Sequence, residues 1–202
     1  MASAIIFSKG ITRAATLAVA AMFLSIAAWP DVGVTERELD QAQASVQRMF
    51  GKETKAVLVT IPLLSQDKEA VFILCNQRWG GDTLVVLASF KGNAAAGYAV
   101  VDNVKGKDQL ITYIVAVDSS LVVKDLEILA YREAYGGEVR YKSWQKQFFG
   151  RRPGEELRPG KEIKNISGAT ISARSVTFGV KKVLSVLAAV RDRLPHTPLE
   201  TQ

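Results

Sequence analysis

One cysteine and one histidine are all that 202 residues hold of the two side chains most used for metal and redox chemistry. A single thiol, Cys75, cannot close an internal disulfide, and no CxxC or CxxCH spacing offers a zinc, dithiol or haem site. Cys75 ends the apolar run "AVFILC", which reads as a strand with the thiol in the core. His196 stands alone in the polar tail "RLPHTPLETQ", so a histidine-based triad or metal centre has no partners to build from. The Walker pattern GxxxxGK[ST], the dinucleotide pattern GxGxxG and the nucleophile elbow GxSxG are missing as well. Basic residues are not clustered with aromatics, which argues against nucleic-acid binding, and no internal repeat is visible.

The segment "AATLAVAAMFLSIAAW", Ala14 to Trp29, carries no charge; Lys9 and Arg13 precede it, and Asp31, Glu36, Glu38 and Asp40 follow. Basic before and acidic after orients such a segment with its C-terminal side outward. At 16 residues the run is short for a full span and long for a signal h-region. Residues 1–30 are therefore expected to be a targeting segment: an uncleaved transmembrane anchor, with a cleaved signal peptide as the alternative. Either way the remaining domain is exported, to the periplasmic or extracytoplasmic side of a membrane. Without Lys9 and Arg13 that domain has 24 basic against 20 acidic residues, a weak excess.

Residues 31–54 read as a helical linker. Thr35 with Glu38 three positions on gives a capping-box pattern, and Leu39, Ala42, Val46 and Phe50 share one helical face. From there to residue 195 short apolar runs recur between turn signals: "AVLVTI", "AVFILC", "TLVVLASF", "AGYAVVDNV", "ITYIVAVD" and "LVVKDLEIL". Their Val, Ile, Tyr and Thr content predicts strands, and their close spacing predicts antiparallel pairing. A long helix follows, with Val176, Val180, Val183, Leu187 and Val190 at helical spacing. The expected fold is α+β, a mainly antiparallel sheet packed by an N-terminal and a C-terminal helix, ending in a polar tail at 196–202.

At the start of that last helix "NISGATISARS" puts Ser167, Thr170, Ser172 and Ser175 around the small pair Gly168 and Ala169. One hydroxyl suffices to cap a helix. The surplus leaves two readings open: redundant capping around a tight turn, or a helix N-terminus that receives an anion.

"ISGATISARSVTFGVKKVL" resembles the flavin-attachment segment of FMN-binding domains, found in the G subunit of Rnf-type electron transport complexes and the C subunit of sodium-translocating NADH:quinone reductase. In that family the last residue of an S/T-G-A-S/T core is joined through its hydroxyl to the phosphate of FMN. The resemblance places this residue at Thr170, after Ser167, Gly168 and Ala169. "AGYAVVDNVKGKDQLITYIVAVDSSLVVKDLEIL" is similar to the family's core strands. "YREAYGGEVRYKSWQKQFFG" is similar to its H-x-E-T-P-G-L-G stretch, with Glu133, Gly136 and Gly137 on the acid and glycines. Together the likeness spans roughly residues 83 to 190. An acid usually stands six residues before the flavinylated hydroxyl, where this chain has Lys164. Tyr131, Ala134 and Tyr135 stand where the complex subunits have H, T and P, which suggests a smaller, single-domain relative.

The resemblance implies FMN bound at Thr170, with Ser167, Gly168, Ala169, Ser172, Glu133, Gly136 and Gly137 around it and Ser167 and Ser172 as hydrogen-bond donors to the phosphate. It implies maturation by a Mg²⁺-dependent flavin transferase that uses FAD, and membrane redox proteins as electron donor or acceptor. An electron carrier is expected ahead of an enzyme, with no catalytic residue and no metal. The rivals are a stand-alone flavin-dependent reductase and a non-redox assembly factor that has lost its flavin.

Overall fold

A computed structural model describes residues 4–6 and 35–198. The stretch 14–29, on which the anchor expectation rests, lies outside the described residues. No described helix is long and apolar enough to cross a membrane.

Helix α1, Glu36–Phe50, opens as its sequence predicts: Glu38 N–H donates to Thr35 Oγ1, and Glu38 Oε2 accepts from Thr35 N–H at 2.7 Å. The chain then runs through β2 (Lys55–Pro62), α2 (Ser65–Cys75), β3 (Thr83–Lys91), β4 (Ala94–Lys105), β5 (Leu110–Asp118) and β6 (Val123–Tyr131). A three-residue strand, β1 (Ala4–Ile6), pairs with the outer edge of β2. Neighbouring strands are antiparallel and follow chain order, so the sheet is a meander. After β6 come a 3-10 turn (Gly137–Arg140), a short helix α3 (Lys142–Gln145) and a polar loop. The long helix α4 (Thr170–Ala189) closes the chain. The expected α+β fold is borne out.

Both faces of the central strands are covered, which is why β4 and β5 read as nearly unbroken apolar runs. Tyr98, Val100, Ile111, Tyr113, Val115 and Val117 point to the face under α2 and α4, where Val176, Val180, Val183 and Leu187 form the buried stripe of α4. Ala99, Val101, Ile114 and Ala116 point the other way, against Ala42 and Val46 of α1. Alanines on both partners let that helix lie close to the sheet.

The run "AVFILC" is not a strand. It forms the second half of α2, whose first half is the polar "SQDKE". Asp67 caps the start by accepting from Leu64 N–H at 2.7 Å, and Asn76 ends the helix in the left-handed region at φ 55°. Val71 and Cys75, one turn apart, are buried, while Phe72 and Ile73 face outward at 46% and 75% exposure. The period is helical, and the β-prone residues were outvoted by the flanking helix signals. Cys75 is a core residue as expected, but its thiol sits on a helix and donates to Val71 C=O.

Candidate functional site

The site lies at one end of the sheet, where the β4–β5 turn, the end of β6 and the start of α4 meet. Glu133, just past β6, holds the turn: Oε1 accepts from Asp108 N–H at 2.8 Å and from Gln109 N–H at 3.0 Å. The Gln109 and Asp108 amides stabilise the charged carboxylate and pull its pKa below the ordinary value. A side chain at Gly106 would overlap Glu133 Oε1, so the glycine makes room for this contact. The next residue back, Arg132, donates to Leu110 C=O and pairs with Glu38 of α1, which also accepts from Thr112 Oγ1 at 2.8 Å. Burial pushes the Glu38 carboxyl up, but the bonds from Thr35, Thr112 and Arg132 outweigh it and hold the group below its ordinary range.

At the start of α4 the N-cap is Ala169, whose side chain caps nothing. None of the nearby hydroxyls replaces it. Thr170 Oγ1 is exposed, and its hydroxyl reaches only the Ile166 carbonyl, at 3.5 Å. Ser172 is buried and pairs with Tyr131 Oη at 2.9 Å. Tyr131 Oη also donates to the Tyr135 carbonyl, which can only accept. Ser172 is therefore the donor to Tyr131, and its single proton is committed there. The capping reading of the hydroxyl cluster fails, and in this arrangement the Ser172 hydroxyl is engaged with Tyr131.

The backbone around these groups is shaped by two glycines. Gly168 has φ +80° and nothing within 4 Å of where a side chain would begin, so the space before the helix end is open. Gly136 has φ +84° and is packed tight: a Cβ there would lie 2.7 Å from Tyr131 Oη and 3.1 Å from Ser172 Oγ. The Tyr131 hydroxyl thus latches the 135–136 loop to the start of α4.

Between these elements lies a hollow of about 370 Å³. Lys107 and Asp108 of the turn line one side, Glu133, Ala134 and Tyr135 another, and Gly168 through Ser172 the helix end. Of the expected site residues, Thr170, Gly168, Ala169, Ser172 and Glu133 come together here. Gly136 lies beneath the hollow without lining it. Gly137 begins the 3-10 turn and Ser167 is exposed; neither lines the hollow. Lys107, Asp108 and Ile171 were not expected, and Tyr135, 86% exposed, stands at the rim. A second, smaller hollow of about 270 Å³ shares Thr170 with the first and is lined by Pro159, Asn165, Thr170, Arg174 and Phe178.

Lys164, the departure from the expected acid, lines neither hollow. Its backbone is fixed by others: Trp144 Nε1 donates to its carbonyl at 2.8 Å, and its N–H donates to Gln147 Oε1 at 2.8 Å. The loop before the helix is set without any help from the side chain at 164.

The arrangement fits a flat aromatic ring system carrying a phosphate: an open, partly apolar hollow, a glycine that clears the approach, and an exposed hydroxyl at an uncapped helix N-terminus. Helix N–H groups without partners favour an anion at that end. No curated protein matches the chain. Residues 106–185 match the family model described as the FMN-binding domain, a span that includes every residue lining both hollows. This part of the chain is an FMN-binding domain, and its cofactor is FMN.

Proposed function

We propose that the chain is an exported, membrane-anchored flavoprotein that carries FMN on Thr170 and relays electrons between membrane redox proteins. The observation that carries this reading is the state of Thr170: an exposed hydroxyl, engaged in no cap, at the junction of two hollows. In the attachment step Thr170 Oγ1 bonds to the flavin-side phosphorus of FAD. The diphosphate P–O bond breaks, AMP leaves with the bridging oxygen, and the hydroxyl proton goes to solvent; a flavin transferase supplies the Mg²⁺ and the site for this exchange.

FMN supplies reversible electron transfer at its ring. The chain's part is to hold and orient. The Tyr131 latch fixes the 135–136 loop, Glu133 fixes the 106–109 turn, and Gly168 clears the approach to Thr170. The mouth of the larger hollow is open beside Tyr135, which suits exchange with a docked partner. A covalent link keeps the cofactor in place outside the cytoplasm, where FMN cannot be replenished.

The anchor rests on composition, an uncharged 16-residue stretch with basic residues before and acidic residues after it. A single crossing by residues 14–29 puts Ala4–Ile6 and the domain on opposite faces of the bilayer. The anchored chain therefore gives up the β1–β2 pair and has β2 as its edge.

The test is co-expression of the full chain with and without a flavin transferase, beside Thr170→Ala, with in-gel flavin fluorescence after denaturation. A fluorescent band is expected for the wild type with transferase, and for neither control. A dark band from a yellow native protein would move the assignment to non-covalent FMN. Colourless protein from cells that supply both transferase and flavin would sink it.

A further inference from the structure

Resting on the reading of Thr170 as the attachment point, we propose that Arg174 and Asn165 form the phosphate subsite of the flavin, in the smaller hollow that shares Thr170 with the hollow that takes the ring.

Charge decides between the two hollows. The larger one places the carboxylates of Asp108 and Glu133 beside a single cation, Lys107, so a phosphate there meets more negative charge than positive. The smaller one presents the Arg174 guanidinium and the Asn165 amide, and no carboxylate lines it. Size points the same way, since about 370 Å³ receives the ring system more readily than about 270 Å³.

Arg174 follows Thr170 by four residues on α4, which puts both side chains on one face of the helix. Among the described residues it enters no ion pair; its guanidinium rests over the Phe178 ring, 5.4 Å from the centroid. Stacking of this kind leaves the N–H edge of an arginine available to an oxyanion. Asn165 is seated by Gly160, which has φ +80° and leaves only 3.0 Å between the position of a Cβ and Asn165 Nδ2. The other candidates for holding a phosphate drop out. Ser172 donates its hydroxyl to Tyr131, and Lys164 lines neither hollow. The unpartnered N–H groups of the first turn of α4 add to the same field.

The test uses the full chain made without flavin transferase, titrated with FMN and with riboflavin, which lacks the phosphate. Wild type is expected to bind FMN about tenfold or more tighter than riboflavin, the size of one charge-assisted hydrogen bond. Arg174→Ala should bring the two within about threefold, Arg174→Lys should keep most of the preference, and Asn165→Ala should lower it by a smaller factor of about three. Riboflavin affinity should stay the same throughout, which also reports that the variants fold. A preference that survives Arg174→Ala, or that falls with Lys107→Ala instead, overturns the subsite. So does equal binding of FMN and riboflavin by the wild type. If neither flavin binds yet transferase still labels Thr170, the subsite fails and the attachment reading stands; if labelling fails too, both fall.

Discussion

Through the residues just past its C-terminal end, Ala189, α4 is stitched to four parts of the domain. Arg193 pairs with Asp67 of α2 at 2.5 Å and donates to the Pro62 carbonyl at the end of β2. Arg191 donates to Ser120 C=O, and beyond the helix Tyr98 Oη donates to Pro195 C=O and Ala95 N–H to His196 C=O. At its N-terminal end the same helix has an alanine for a cap, an exposed threonine as first residue and open space before it. The start of the polar tail is thus held as far as His196, while the end with a surplus of hydroxyls has no side-chain cap. A helix secured at one end and along its buried stripe tolerates unsatisfied groups at the other. That is what a phosphate-receiving end requires, because a side-chain cap would occupy the N–H groups the anion needs.

The comparison can be broken hardest from the middle of the helix. Lys182 pairs with Asp102 Oδ2 at 2.9 Å, and Tyr113 Oη donates to the same carboxylate at 2.7 Å. Tyr113 is fully buried, and burial, reinforced by the Asp102 charge, pushes its pKa up, so it stays a hydroxyl donor. Gly179 faces this group, and a side chain there would overlap Tyr113 Oη. Asp102→Ala leaves an ammonium and a buried hydroxyl without their acceptor and should destabilise the domain by about 3 kcal/mol. Equilibrium urea unfolding reads that loss. Flavin loading per folded molecule should stay at the wild-type level, because Lys182 lies roughly three turns from Thr170. A loss of loading as large as the loss of stability would mean that the two halves of α4 are not separable.

How far the sequence reaches follows the same division. The strands were legible because apolar runs alternated with turn residues, and α1 because Thr35 and Glu38 carry their capping box within one turn. Where the contact that matters is distant in the chain, the reading failed. The direction of the Ser172 hydrogen bond depends on Tyr131, 41 positions away, and on a carbonyl beyond it. Lys107 and Asp108 join the site only because the β4–β5 hairpin brings its turn to the end of β6, and a lysine and an aspartate in a polar turn otherwise announce nothing. Arg174 was in plain view inside the quoted motif. What singles it out is the absence of a carboxylate around it, which only the folded arrangement reveals. For α2 the error was one of period: β-branched and aromatic residues signal strands only until the polar half of the helix and its Asp67 cap are weighed with them.

A smaller change sharpens the contrast at the open end. Ser172→Ala removes the donor to Tyr131 but leaves the Tyr131–Tyr135 bond in place, and should lower stability by about 1 kcal/mol. Covalent flavin incorporation should persist, since the Ser172 proton was never available to the phosphate. Thermal unfolding and in-gel fluorescence on the same preparation check both halves, and a strong loss of label would restore Ser172 as a phosphate donor.

The smallest expected effect concerns pH at the turn that Glu133 holds. Its folded-state pKa lies below the ordinary 4.5, lowered by the Gln109 and Asp108 amides. The carboxylate therefore contributes its stabilisation fully above pH 4.5 and loses it as the pH falls through the folded value. The group is exposed, so the loss is local: the protection of the Asp108 and Gln109 amides, measured against their intrinsic exchange rates at each pH, should fall on acidification, ahead of any change at the stitched C-terminal end of α4. Glu133→Gln, which keeps an acceptor but cannot ionise, should flatten that pH dependence. Protection at Asp108 and Gln109 that holds down to acid unfolding in the wild type would show that the turn stands without the carboxylate. Glu133 would then be available to a bound flavin rather than committed to the backbone.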